Sequence, residues 1–232
     1  MGVLAPLGLV LACGVEPRSC DLDSSAIVVH ATITDADHGV EVEIELEAAG
    51  EDDSPGTPLT LCPETGEQLR VNNRSTKQVR ALGHVYYTLE FPEPEATYTI
   101  EYVRDDETLT LELDMPPTFE ILAPSEDEII PRSQPIPVEW SPTWPDHAIA
   151  IGVEDRVGSD CLEGLGYSTE VDDLGSATIG AYMIEAGKAD AETCKAWVAI
   201  TRTSIGSYPD GLHEGGTVEG YVKRRRRFLS SG

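Results

Sequence analysis

Hydrophobic and polar residues alternate with a period of two along most of this chain. The alternation is clearest in Val40-Glu-Val-Glu-Ile-Glu-Leu-Glu, which follows Ala26-Ile-Val-Val-His-Ala-Thr-Ile-Thr after the polar turn Asp35-Ala-Asp-His-Gly. A period of two places successive side chains on opposite faces of a strand, so these segments predict a β-hairpin with one buried face. The same pattern predicts strands at 85–91, 96–103 and 108–113, with shorter strands at 59–62 and 79–82.

The segment Met115-Pro-Pro-Thr interrupts this series, because paired prolines form a stiff, extended joint. Beyond the joint, the alternation predicts further strands at 119–124, 136–140, 148–153, 166–171, 177–184, 196–203 and 217–223. Short strands that are separated by Gly, Pro, Asp and Asn favour antiparallel sandwiches over a parallel sheet. We therefore predict an all-β protein with two tandem antiparallel β-sandwich domains of immunoglobulin-like size, at residues 25–115 and 116–232.

A short apolar leader precedes the first predicted strand and ends in Leu9-Val-Leu-Ala-Cys13. This ending resembles the cleavage site of bacterial lipoprotein signal peptides, which implies a signal peptide at 1–12, lipid attachment at Cys13 and a lipidated linker at 13–24. The leader departs from such signals because no Lys or Arg precedes its apolar run. Gly14 differs from the Asp that resembles an inner-membrane retention signal, so we expect an outer-membrane lipoprotein of the cell envelope. The alternative is an apolar first strand that ends in a cysteine.

The charge of the chain is strongly acidic, with 42 Asp and Glu against 16 Lys and Arg and a formal net charge of -26. Such a surface repels the phosphates of DNA and RNA, so we exclude nucleic acid as a partner. The hydrophobic residues nevertheless make up 40% of the chain and alternate regularly, which is typical of a folded protein and not of a disordered one.

The five cysteines fit an exported protein. If Cys13 carries lipid, an even number remains, with Cys20 and Cys62 in the first half and Cys161 and Cys194 in the second. Metal sites use short Cys/His spacings, whereas these cysteines are far apart and no histidine lies close by. We predict one disulfide within each half, because pairs across the proline joint would force two separate domains to dock. The alternative is a set of buried free thiols in a cytosolic protein.

No catalytic motif is present in the sequence, and its histidines are scattered. We therefore predict no catalytic residue, no cofactor and no bound metal. Two alternatives remain open because acidic residues are so numerous. Paired carboxylates could serve an accessory envelope hydrolase of the glycosidase type. The acidic turns at 35–37 and 105–107, together with Asp155 and Asp160, could serve a calcium-dependent adhesion module. The simpler interpretation is that Asp tolerates turn geometry and solvates the surface.

Two features are candidates for binding. Trp144 lies in the loop Ser141-Pro-Thr-Trp-Pro145, where an exposed indole could stack on a sugar, whereas Trp140 and Trp197 are expected to pack in the core. A run of five basic residues near the C-terminus could bind an anionic partner, or it could be a final edge strand that charge protects from aggregation. The residues of this run are Lys223, Arg224, Arg225, Arg226 and Arg227.

The second half also resembles a β-sandwich module of exported lipoproteins from myxobacteria-like bacteria, with immunoglobulin-like or fibronectin-like domains. The segments that carry the resemblance are Pro116-Pro-Thr-Phe-Glu-Ile-Leu-Ala-Pro, Val138-Glu-Trp-Ser-Pro, Gly158-Ser-Asp-Cys161 and Ala196-Trp-Val-Ala-Ile-Thr-Arg-Thr after Cys194. The basic tail departs from this pattern. The resemblance implies a fold and a compartment but supplies no catalytic residue. We therefore expect a non-catalytic envelope lipoprotein that is attached to the membrane by lipid and whose β-sandwich domains serve a binding or a structural role. Its partner would be an unknown protein or glycan, and the alternative is a structural spacer without a ligand.

Overall fold

The computed structural model describes residues 17–50, 56–104, 106–155, 167–183 and 193–232. In these residues the chain contains strands and three short 3-10 helices, at Ser19–Asp21, Ser24–Ala26 and Pro63–Thr65. The strands of the first half are β1 (Ile27–Ala36), β2 (Gly39–Ala48), β3 (Thr57–Pro58), β4 (Gln68–Val71), β5 (Arg74–Ser75), β6 (Lys77–Ala81), β7 (His84–Phe91), β8 (Thr97–Arg104) and β9 (Glu107–Asp114). Those of the second half are β10 (Glu120–Ala123), β11 (Glu128–Pro131), β12 (Ile136–Ser141), β13 (Ala148–Glu154), β14 (Tyr167–Asp172), β15 (Ser176–Ile179), β16 (Thr193–Ile205) and β17 (Thr217–Ser231).

These strands form one large sheet and two small ones. The large sheet has ten strands in the order β14-β13-β16-β17-β1-β2-β7-β6, with β11 paired to β17 and β3 paired to β2. The small sheets are β5-β4-β8-β9 and β10-β12-β15. The pairs β1–β17 and β11–β17 are parallel, and the other pairs between named strands are antiparallel. The all-β, antiparallel prediction is therefore confirmed for the described residues.

The first hydrophobic core lies between one end of the large sheet and the sheet β5-β4-β8-β9. Alternate residues of β1 and β2 are buried, as the sequence period predicts, and they include Ile33, Val42 and Ile44 at 0% exposure. Their counterparts on the small sheet include Ile100 and Leu111. Burial of apolar surface stabilises a fold by roughly 25 cal/mol per Å². The apolar surface that these alternating residues bury therefore supplies the main driving force for folding of this sandwich.

The second hydrophobic core lies between the other end of the large sheet and the sheet β10-β12-β15. The inward residues of β13 and β16 are apolar and buried, among them Ile151, Val198 and Ile200. Val138 and Trp140 of β12 face them from the small sheet. The second core is thus a sandwich of the same kind as the first.

The two sandwiches share the last strand, β17. It pairs with β16 from Glu219 to Ser231, while its other side pairs first with β1 and later with β11. Its residue Val218 is buried in the first core, whereas Val222 and Phe228 are buried in the second. The predicted domain boundary after residue 115 remains a prediction, and the residues on either side of it are joined by one continuous sheet.

Gly220 of β17 allows the two cores to meet closely. A Cβ atom at this position would lie 2.9 Å from Sδ of Met115 and 3.0 Å from Cδ2 of Leu113. Met115 itself packs against both cores. Because a real Cβ almost never approaches other atoms within 3.0 Å, any larger residue here would displace the methionine that fills the junction.

Candidate binding surface

The predicted disulfide of the first half is present. Cys20 is bonded to Cys62, with 5.9 Å between their Cα atoms. In the second half, Cys194 is also in a disulfide. Its expected partner Cys161 lies outside the described residues, so that pairing remains a prediction. The proposed lipidation site Cys13 and the whole leader also lie outside them.

A buried carboxylate holds the N-terminal segment beside the first disulfide. Glu67 is 2% exposed and accepts hydrogen bonds from Oγ of Ser19 at 2.5 Å and from the main-chain N–H of Cys62 at 2.7 Å. The hydroxyl of Tyr102 donates a third. Burial, and then this hydrogen bond, raise the pKa of Tyr102 well above its usual value, so the hydroxyl remains a donor. This cluster is satisfied internally and serves the structure.

A second polar cluster lies in the second core. The indole Nε1 of Trp140 donates to Oδ1 of Asp173 at 2.6 Å, and Nε of Arg202 donates to Oδ2 of the same carboxylate at 2.7 Å. The side chains of Arg202 and Asp173 are both 0% exposed. Arg202 also donates to the main-chain oxygens of Pro117 and Pro142. This arginine therefore ties the proline joint to the second sandwich, a role that the sequence analysis missed.

The tryptophans differ in their surroundings. Trp140 is 2% exposed, as predicted for a core residue. The core prediction for Trp197 is wrong, because it is half-buried on the outward face of β16 while its neighbours Ala196 and Val198 face the core. Trp144 is half-buried, and its ring stacks on that of His147 with 3.6 Å between the ring centroids. One face of the Trp144 indole is therefore covered within the chain.

The basic run 223–227 lies within β17, with side chains alternating between the two faces of the sheet. Arg224 and Arg226 share the inward face with the core residues of this strand. Arg224 donates to Oδ2 of the buried Asp35 at 2.8 Å and to Oγ1 of Thr118 at 2.9 Å. Arg226 donates to the main-chain oxygen of Ile121. Both arginines thus link the large sheet to the segment 118–121, which follows the proline joint.

The other three cations of the run point to the outward face. Lys223 forms an ion pair with Glu154 at 2.6 Å, Arg225 lies 3.8 Å from Asp37, and Arg227 donates two hydrogen bonds to Asp127 at 2.6 Å each. β17 has neighbouring strands on both sides over part of its length. The run itself pairs with β16 alone, because the pairing with β1 ends at Val222 and that with β11 begins at Phe228. The edge-strand interpretation therefore holds for the side of the run that faces away from β16, and acids of the same chain largely balance its charges.

The outward face of the large sheet also carries a row of carboxylates, which we call the acidic row. Its members lie on β2, β7 and β17 and project away from the first core. Burial raises the pKa of Glu43, and repulsion from Glu45 and Glu41 raises it further. The acidic row consists of Glu41, Glu43, Glu45 and Glu47 on β2, Glu90 on β7 and Glu219 on β17. One face of the sheet is thus acidic over the first core and carries the three outward cations of β17 over the second.

A cleft of about 490 Å³ lies at one end of the acidic row, beside the turn between β1 and β2. This volume is within the range of small-ligand sites in proteins. The cleft combines apolar and charged walls, and its lining includes Thr34, His38, Glu41, Glu90, Phe91 and Pro92. We call it the hairpin cleft.

Within the described ranges, no group of three or more His, Cys, Asp or Glu residues is arranged to hold a metal ion. No helix in the same part of the chain is long and apolar enough to cross a membrane.

Comparison with known proteins places this chain in no family. No family model matches it, and no curated protein matches it. Among solved structures, it is similar to DIP-gamma IG1+IG2, with 8% identity, a TM-score of 0.21, and coverage of 94% of this chain and 100% of that one. It is also similar to the adhesin InvE of Yersinia pseudotuberculosis, with 10% identity, a TM-score of 0.21, and coverage of 84% of this chain and 58% of that one. Likenesses this loose carry no argument about fold or function.

Proposed function

We propose that this protein is a non-catalytic, lipid-anchored envelope protein that binds a partner through the outward face of its large sheet. The observation that carries the proposal is the acidic row over the first core, which an oppositely charged surface of a partner would complement, whereas the outward cations of β17 are already paired with acids of this chain. Electrostatic complementarity of this kind gives a protein interface its orientation and its selectivity. The rigid β-sandwiches beneath it would hold the charges in fixed positions.

The outward position of the acidic row supports this role. Glu41 and Glu43 are exposed, while Thr32 and Thr34 lie between them and β17 as half-buried neighbours on the same face. Their apolar neighbours on each strand are already committed to the core. The face therefore presents charges and hydroxyl groups to solvent without a large apolar patch, which is typical of interfaces that form and separate reversibly.

Site-specific photocrosslinking in cells of the source organism tests this proposal. A benzophenone amino acid replaces Thr32, which lies between Glu43 and Glu219 of the acidic row. As a matched control, the same amino acid replaces Thr110 on the outward face of the opposing sheet. We expect an adduct with an envelope component from position 32 that is lost when Glu43→Lys is added. An equal adduct from position 110, or no adduct at either position, would remove the support for a binding face.

The lipid anchor is the second part of the proposal. It is supported by the leader that ends at Cys13 and by the disulfide Cys20–Cys62, which is typical of an exported protein. Cys20 stands shortly after the proposed lipidated residue. The described contacts of the chain would therefore begin close to the proposed attachment point.

Cys13→Ser is expected to release the protein from the membrane fraction, because lipid on this residue would supply its membrane affinity. Cell fractionation with a high-salt wash measures the result, and immunoblotting of the wild-type chain provides the control. Retention of the Cys13→Ser protein in washed membranes would show that the protein is held there by other contacts.

A further inference from the structure

The β6–β7 hairpin carries a run of exposed residues at the edge of the large sheet. All residues from 77 to 84 are exposed, on both faces of β6. In the described part of the chain β6 pairs with β7 alone and ends the sheet on this side. We call residues 77–84 the exposed arm. Because the arm contributes little to the core, its side chains are available for a contact outside the chain.

The tip of the exposed arm is a leucine that the turn itself does not favour. Leu82 and Gly83 form the two-residue turn between Ala81 and His84, and their φ angles are positive, at 52° and 87°. Turns of this kind favour Asn, Asp or Gly at the first position, and bulky residues rarely adopt a positive φ. The side chain of Leu82 is also fully exposed. Neither the turn nor the core requires a leucine here, which indicates an apolar contact outside the chain.

The charge around the exposed arm is opposite to that of the whole chain. No Asp or Glu occurs from residue 68 to residue 89, although the full chain has 42 of them. Two of the cations in this stretch, Lys77 and Arg80, belong to the arm. On the β7 side, Nδ1 of His84 lies 3.7 Å from Glu45 of the acidic row. Anionic headgroups are therefore repelled by most of the chain but not by the β6 side of the arm.

The first described residue, Pro17, lies beside the exposed arm. A surface depression of about 270 Å³ is lined by Pro17 together with Arg80, Gly83 and His84 of the arm. Four peptide units separate Pro17 from Cys13, so the Cα atoms of these two residues lie within about 14 Å of each other. A lipid on Cys13 would thus place the membrane surface close to the arm. This proximity favours lipid over a protein as the apolar surface that meets Leu82.

We propose that the exposed arm docks on the membrane surface, with Leu82 inserted among the acyl chains and β6 against the headgroups. This inference rests on the lipid anchor of the proposed function. Because the anchor holds the arm close to the bilayer, even a weak contact becomes populated. A single attachment leaves a protein free to turn about its tether, whereas a second contact beside the tether fixes its orientation. The arm therefore determines the direction in which the outward face of the large sheet is presented.

Photolabelling from the lipid phase tests the proposal. The full lipid-modified chain is reconstituted into vesicles of phosphatidylethanolamine and phosphatidylglycerol that contain a phospholipid with a diazirine in its acyl chain. Mass spectrometry of the digested protein locates the labelled residues. We expect label in the exposed arm. Its absence from the arm would overturn the proposal.

Ile129 on β11 provides an internal control for this labelling, because it is also apolar and exposed. Strand pairing places Val79 of the arm in one row with Thr217 at the start of β17. Ile129 instead pairs with Leu229, roughly 40 Å further along β17. We expect no label at Ile129. Equal labelling of Ile129 and the arm would indicate non-specific contact with lipid and would overturn the proposal.

A substitution that suits the turn shows whether the leucine is responsible. Leu82→Asn removes the apolar side chain while favouring the left-handed turn, so the arm should keep its fold. We expect this variant to lower labelling of the arm about tenfold, since burial of a leucine favours the docked state by at least this factor. The matched variant Ile129→Asn should change the labelling of the arm less than about twofold. Unchanged labelling in Leu82→Asn, or an equal loss in both variants, would overturn the proposal.

A benzophenone amino acid at position 82, in cells of the source organism, distinguishes lipid from other occupants. We expect adducts with phospholipid. Adducts with a protein, including a second copy of this chain, in place of lipid would show that the arm binds protein, which would overturn the proposal.

These experiments can fail separately from the proposed function. If Cys13→Ser releases the protein from membranes while the wild-type arm takes up no label, the lipid anchor stands and docking of the arm is rejected. If the arm is labelled selectively while Cys13→Ser remains in washed membranes, the arm contacts lipid and the anchor at Cys13 is rejected.

Discussion

Truncation after Val222 is expected to unfold the second sandwich. It removes the part of β17 that lies between β16 and β11, together with Phe228, which is 0% exposed in the second core. Truncating a buried Phe to Ala alone costs about 3–5 kcal/mol, against a total stability of about 5–15 kcal/mol for a typical protein. The loss of a whole strand exceeds what the remaining contacts can compensate. Circular dichroism and limited proteolysis of the shortened chain measure the result.

The control for this truncation keeps the strand and removes one charge. Arg225→Gln affects an ion pair of 3.8 Å whose side chains are 41% and 37% exposed. We expect it to change the free energy of unfolding by less than about 1 kcal/mol, because exposed pairs contribute little. A truncated chain that still protects β13 and β16 from proteolysis would show that the run 223–227 is dispensable for folding. That result would favour a role of the run in binding.

Arg202→Met is expected to lower the free energy of unfolding by about 3–5 kcal/mol, because it leaves a buried carboxylate without its cation. Asp173 would retain the indole donor of Trp140, and the main-chain oxygens of Pro117 and Pro142 would lose their donor. Urea denaturation followed by tryptophan fluorescence measures the loss, since Trp140 lies in this cluster.

Two further variants separate the buried charge from general effects of removing a cation. Lys223→Met breaks a partly exposed pair, with 33% and 38% side-chain exposure, and should cost less than about 1 kcal/mol. Arg202→Met combined with Asp173→Leu removes both charges and should recover part of the stability lost in the single variant. If Arg202→Met proves no more costly than Lys223→Met, the buried cluster contributes little to stability.

Local patterns predicted much of this fold. The strands β1 and β2 follow the alternation of their sequence almost residue by residue, and the turn Asp37-His38 falls between them as expected. The predicted strands at 96–103 and 108–113 are likewise present, within one residue at each end, as β8 and β9. These features depend on neighbouring residues and on a period of two, both of which are visible in one sequence.

Other local predictions were wrong for identifiable reasons. No strand occupies 59–62, because Thr60 forms an isolated bridge with Arg18 and Cys62 precedes a 3-10 helix that starts at Pro63. The sequence analysis did not predict β4, where only Leu69 and Val71 mark the buried face of a short strand. Strands this short carry too few alternating residues to be distinguished from loops.

The candidate site depended on pairings that no local pattern reveals. The parallel pairing of β1 with β17 joins residues from opposite ends of the chain, such as Thr32 and Glu219. Glu41 and Glu90 become neighbours only through the register of β2 with β7. The basic run suggested an exposed tail, whereas its partners Asp35 and Glu154 come from distant strands. A sequence shows which charges exist, and the fold determines which of them meet.

The sharing of β17 also constrains the order of events during biosynthesis. Val218 lies in the first core and Phe228 in the second, and β17 is made after all the other described strands. Neither core can reach its final packing until β17 has been made, although contacts within the first half can form early. The pairing of β1 with β17 must also close the long loop between these two strands, which slows folding. A single late strand therefore couples the completion of both cores.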